Sequence, residues 1–140
     1  MKILGLDVGS RRIGVAVSEL ADVVVPVCVI NRGPREMEQI AAMVRERGIE
    51  LVVVGLPTGR SGEIGPQAQA VLEFVEALRG VLNVPVETWD ESFTTAEAEE
   101  ILIEADLSRA KRRKVLDAAA AVILLRSYLE SVQPKCSRDN

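Results

Sequence analysis

Apolar and polar residues follow three different rhythms along this chain. Ile3, Leu4, Leu6 and Val8, then Ile13, Val15, Ala16 and Val17, flank a polar turn from Gly9 to Arg12 and predict the two strands of a hairpin. Asp7 interrupts the first apolar run, which places a carboxylate at the hairpin tip. Val23 to Ile30 predicts a third strand. After the loop Asn31 to Pro34 the rhythm changes: Met37, Ile40, Ala41 and Val44 recur at helical spacing and predict a helix from Glu36 to Arg47, ended by Gly48. Leu51 to Val54 is a continuous apolar run of the kind found in strands covered on both faces. It empties into a glycine-rich loop, Gly55 to Gly65. Pro66 then suits the first turn of a helix through about Leu78, with Ala70, Val71, Phe74, Val75 and Leu78 facing inward.

Pro85 to Trp89 predicts a further strand, with Asp90 and Glu91 in the loop that follows. Thr94 and Glu97 have capping-box spacing and open a helix through Ala105; Asp106 to Ser108 breaks the chain before a last helix, from about Arg109 to about Glu130. Hairpin connections make the early strands antiparallel and helical crossovers make the later ones parallel. The expected fold is therefore α/β, a mixed five-stranded sheet covered by helices, in one domain over residues 1–132 with a tail at 133–140.

Composition sharpens this picture. At 48% hydrophobic and 3% aromatic, the chain has a core of Val, Ile, Leu and Ala. The net charge of −4 argues against broad electrostatic capture of nucleic acid, but positive charge is concentrated at Arg11 and Arg12 and at Arg109, Lys111, Arg112, Arg113 and Lys114. No apolar run is long enough to span a bilayer and no signal peptide precedes the first strand, so a cytoplasmic protein without a membrane partner is expected. Cys28 and Cys136 form neither a disulfide framework nor a zinc spacing. The chain has no histidine, which removes Ser-His and Cys-His nucleophiles and every histidine metal site. Catalysis would have to run on carboxylates, hydroxyls and basic side chains.

Three acidic positions stand out: Asp7, the pair Asp90 and Glu91 just past a strand's carboxyl end, and Asp117 near the start of the last helix. Carboxyl ends of strands are where α/β folds place ligands. An ionised carboxylate among apolar residues needs a partner, so Asp7 is either paired with Arg11 or Arg12 or a metal ligand. Asp117 shares a helical face with Ala121, Leu124 and Tyr128, which turns it toward the buried stripe. Carboxylates from separate elements suit a hard divalent cation, Mg²⁺ or Mn²⁺, and two such ions can activate water and stabilise the leaving oxygen of a phosphodiester without histidine. The basic run Arg109 to Lys114 would then either contact backbone phosphates or form only a solvated face. The loop after Leu51 to Val54 lacks the Gly-Lys-Ser/Thr ending of a P-loop.

Four segments, GLDVGSRRIGVAVSE, VVVGLPTGRSGEIGPQA, WDESFTT and KVLDAAAAVILLRSYLE, resemble in order the motifs of the YqgF family, also called RuvX, over about Met1 to Glu130. The resemblance implies a ribonuclease H-like fold and a nuclease for the 5′ end of pre-16S rRNA, with Holliday-junction resolution also proposed for the family. It implies divalent metal held by Asp7, Glu91 and Asp117, with Glu91 preferred to Asp90 on the motif and on its longer reach. Arg11, Arg12 and the Arg109 to Lys114 run would position the substrate backbone, and the ribosomal precursor particle is the implied partner. Ser92 stands where family members often have Arg, which puts a phosphate contact in doubt; Arg60, where they often have Met, could supply a substitute charge. A non-catalytic RNA-binding assembly factor is the rival reading, and a one-domain relative of actin-like ATPases is a third.

Overall fold

The computed structural model describes residues 1–20, 23–57, 65–91 and 109–132, with the backbone alone at 90, 91, 109–118 and 132. The predicted capping box, its helix, the tail, Ser92, Arg60 and Cys136 lie outside the described residues.

Five strands form one sheet: β1 (Ile3–Val8), β2 (Arg12–Leu20), β3 (Val23–Asn31), β4 (Leu51–Pro57) and β5 (Val86–Glu91), in the order β3-β2-β1-β4-β5. β1, β2 and β3 pair antiparallel, and β4 runs parallel to both β1 and β5. This is the mixed sheet that the rhythm predicts. The two-residue period divides β1 cleanly: Leu4, Leu6 and Val8 face one side, and Ile3 faces the other.

The first side is covered by α1 (Glu36–Arg47) and α2 (Pro66–Val81). Ile40 and Val44 of α1, and Ala68, Val71, Phe74, Val75 and Leu78 of α2, close this core over Val15, Val52 and Val54. α1 ends as expected at Gly48, whose left-handed φ of 66° is costly for a residue with a Cβ. α2 starts at Pro66 but runs three residues past Leu78. Ala68 is buried instead of Ala70, which is exposed, because the inward stripe at Val71, Val75 and Leu78 extends back to 68 and not to 70.

The other side is covered by α3 (Arg109–Val132), which lies across β1, β2 and β3. Its Ala121, Val122 and Leu125 meet Ile3, Ala16, Val24, Leu51 and Val53. Gly5 permits this approach: a Cβ built on it would stand 3.2 Å from Leu125 Cβ and 3.5 Å from the Ala121 carbonyl oxygen. Among the described residues no helix is long and apolar enough to cross a membrane.

Other boundaries also differ from the expected ones. Asp7 is not at the hairpin tip but inside β1, opposite Gly14, and Arg12 already belongs to β2. β4 continues from Val54 through Pro57. Asp90 and Glu91 are not in a loop: they end β5, paired with Leu56 and Pro57, because the parallel ladder outlasts the apolar pattern.

The Gly5 contact gives a direct test. Gly5→Ala should destabilise the protein by about 1–3 kcal/mol, the usual cost of overpacking a filled core, and Gly5→Val by more. Denaturant unfolding midpoints at an unchanged slope would show it.

Candidate active site at the carboxyl edge of the sheet

Asp7 belongs to the α3 side of the sheet, since it follows Ile3 and Gly5 at the strand period. Its neighbours within the sheet on that side are glycines. Gly5 is two residues back, Gly14 is directly opposite on β2, and Gly55 on β4 is one step beyond the Leu6 and Val54 pair. The Asp7 carboxylate is half-buried and enters no ion pair among the described residues, where pairs form between Arg32 and Glu36, Arg47 and Glu19, and Arg79 and Glu76. The ion-pair alternative for Asp7, to Arg11 or Arg12, is thus not what the structure shows.

Strand β5 brings a second acidic position to the same edge. Glu87 and Trp89 engage α3, so the strand period assigns position 91 to the α3 side and position 90 to the side of α1 and α2. The third position, Asp117, lies in α3 one turn before Ala121 and two before Leu125, the residues that meet Gly5. Ala121 and Leu124 are buried and Tyr128 is half-buried, so the helical stripe carrying position 117 is the one that faces the sheet. Among the described side chains no three acidic or thiol groups cluster as a metal site.

The register of β5 against α3 is fixed by polar contacts that the sequence did not announce. The Trp89 indole N–H donates to Ser127 Oγ at 3.1 Å, and its ring meets the Tyr128 ring edge-on at 5.6 Å between centroids. The Tyr128 hydroxyl donates to the Glu87 carboxylate. Both aromatics therefore pack and neither stands free as a base-stacking platform. Partial burial, with the hydrogen bond and the charge of Glu87, pushes the Tyr128 phenol up to about 12.

The basic residues divide between two places. Arg11 lies in the turn and Arg12 begins β2, next to the strand that carries Asp7. Arg109, Lys111, Arg112, Arg113 and Lys114 occupy the first turns of α3, three to eight residues before Asp117. Arg60 lies outside the described residues. A groove of about 660 Å³ between β3 and α1 is lined by Cys28, Asn31, Glu36 and Met43, on the other side of the sheet, and among the described residues no predicted site residue borders it.

The model of the RuvX family, described as a Holliday junction resolvase, matches residues 1–131. The chain belongs to the RuvX family. A RuvX relative from Pelotomaculum thermopropionicum is 48% identical over 137 residues, covering 94% of this chain and 88% of its own. Another, from Thermoanaerobacter pseudethanolicus, is 43% identical over 139 residues, covering 96% of this chain and 100% of its own. Both carry the name "Putative pre-16S rRNA nuclease". Among solved structures, the Fowlpox virus resolvase in complex with Holliday junction DNA superimposes with a TM-score of 0.61 at 15% identity, over 96% of this chain and 100% of that one. Thermus thermophilus RuvC with a Holliday junction substrate gives 0.58 at 16% identity, over 94% of each chain. The RuvX chain thus shares the resolvase fold.

Tyr128 is the single tyrosine, so its ionisation is readable from phenolate absorbance. A phenol raised from 10.0 to about 12 favours the folded state fully below pH 10 and loses that contribution as pH rises through about 12. The Glu87→Gln variant should titrate closer to 10.0, because the carboxylate's charge is removed while the burial remains.

Proposed function

We propose that this RuvX protein is a metal-dependent endonuclease that cuts structured RNA at the 5′ end of pre-16S rRNA, with Asp7, Glu91 and Asp117 as its catalytic carboxylates. One observation carries the reading. The strand and helix periods assign positions 7, 91 and 117 to the single layer between the sheet and α3, from three elements distant in sequence. Asp90 falls on the other side, which favours Glu91 on geometry as well as on motif. The names of the relatives supply the substrate.

The donor set fits a hard divalent ion. It offers oxygen only, the chain has no histidine, and the half-buried Asp7 carboxylate has glycines around it. Mg²⁺ or Mn²⁺ held there would lower the pKa of an attacking water and neutralise charge on the scissile phosphate. Asp7 would be presented from a rigid central strand, and Asp117 from a helix fixed by its contact at Gly5. Arg11, Arg12 and the basic start of α3 would hold the phosphate backbone in register, a task that needs charge but no base recognition. Arg60 would add to them. The work would be done in the cytoplasm, on the ribosomal precursor particle.

A four-way DNA junction is the second substrate, favoured by the family description and by the two resolvase structures. The test uses labelled RNA spanning the 5′ end of 16S rRNA and a labelled junction, each with Mg²⁺, Mn²⁺ or EDTA. Metal-dependent cleavage of the RNA is expected, with a loss of about 100-fold or more in a folded Asp7→Asn variant. Cleavage of the junction alone would move the reading to DNA. RNA binding without cleavage by the wild-type protein, in any metal, would make it a binding factor.

A further inference from the structure

Arg32 lies beyond the hairpin and beyond every motif singled out in the sequence, yet three separate elements meet on it. Its Nη1 donates to the Gly9 carbonyl oxygen at 2.7 Å, in the turn two residues after Asp7. Its Nε donates at 2.8 Å to Glu36 Oε1, at the start of α1. Its guanidinium stands 5.3 Å from the centre of the Phe74 ring of α2. The backbone N–H of Arg32 also donates to the Arg11 carbonyl oxygen at 2.9 Å, and Gly9 N–H donates to the Arg12 carbonyl oxygen at 2.8 Å, closing the turn. Glu36 is fixed in its turn by the Gly33 N–H at 3.0 Å, and its side chain is 12% exposed against 32% for Arg32.

Phe74 belongs to the core beneath α1 and α2, so Arg32 grips the hairpin turn from the side opposite Asp7. We infer that Arg32 is a positioning residue for the active site: it fixes the turn that ends β1, and through that backbone it holds the Asp7 carboxylate where a divalent ion can be bound. This rests on the reading of Asp7 as a metal ligand. Arginine suits the role because its planar fork addresses a carbonyl and a carboxylate at once while its face lies against an aromatic ring; a lysine offers one point charge. Among the described residues, Arg32 is the side chain seen to bond to Gly9.

The test measures Mn²⁺ binding directly, from the free-ion electron paramagnetic resonance signal and without nucleic acid, beside cleavage kinetics. Arg32→Gln, Arg32→Lys and Asp7→Asn are compared with Arg79→Gln. Arg79 makes a similar clamp, on the Val86 carbonyl oxygen and Glu76, at the far end of β5. Arg32→Gln is expected to weaken Mn²⁺ by about 10-fold or more, as loss of an outer support usually does, and to lower kcat with KM for the nucleic acid little changed. Arg32→Lys should recover part of both, and Arg79→Gln should leave Mn²⁺ affinity at the wild-type value. If Arg32→Gln fails to fold, Glu36→Gln, which loosens the same guanidinium from α1, is read in its place with the same expected direction.

Unchanged Mn²⁺ affinity in Arg32→Gln, with Asp7→Asn unable to bind, would overturn the positioning role and leave the Asp7 assignment standing. Equal weakening in Arg32→Gln and Arg79→Gln would also overturn it, as general loosening of the fold. Wild-type Mn²⁺ binding by Asp7→Asn would remove the metal reading and the inference with it.

Discussion

The approach of α3 to β1 at Gly5 is the contact on which the candidate site depends. A helix packed on a sheet can slide along it or lift from it, and side chains between the two layers decide how far. Here the central strand offers glycine where the helix offers Ala121 and Leu125, so the layers close to van der Waals contact at one point. That point lies two residues before Asp7 on the strand and one to two turns after Asp117 on the helix. Gly14 and Gly55, on the strands beside Asp7, continue the stripe of glycine.

Around that stripe, the structure secures each contributing element separately. β1 is central in the sheet, with neighbours on both edges. β5, which carries Glu91, is an edge strand, and edge strands are held less firmly. The contacts of Trp89 and Glu87 with Ser127 and Tyr128 compensate by tying β5 to α3. The turn after Asp7 is tied from the opposite side by Arg32. On the proposed reading, the carboxylates must be held within a fraction of an ångström to bind metal productively, and contacts of this type would supply that precision.

Much of this was legible in the sequence, for physical reasons that differ by element. β1, β3 and α1 are amphipathic or continuously apolar with clear punctuation, and their apolar rhythm alone places them to within a residue or two, while β2 runs three residues beyond its apolar run, to Leu20. Asp7, Asp90, Glu91 and Asp117 were visible because charge is out of place near apolar runs. The end of β5 was not visible: Thr88, Asp90 and Glu91 break the apolar pattern, and what keeps them in the strand is backbone pairing with β4. Had the strand been carried through Glu91, its period alone would have separated Glu91 from Asp90. The Arg32 clamp was beyond reach for another reason. Its partners, Gly9, Glu36 and Phe74, are brought together only by the packing of three elements, and an arginine in a loop gives no signal of its own.

The central claim is that the carboxylates of Asp7, Glu91 and Asp117 converge in the layer between sheet and α3 to hold divalent metal. Anomalous diffraction at the manganese edge, from crystals of the wild-type protein grown with Mn²⁺, tests it most directly. The account predicts manganese peaks bonded to oxygens of Asp7, Glu91 and Asp117 together, at about 2.0–2.3 Å, the range of oxygen ligation to divalent ions. Manganese bound through Asp90 on the opposite side of the sheet, or well-ordered carboxylates with no manganese between them, would contradict it.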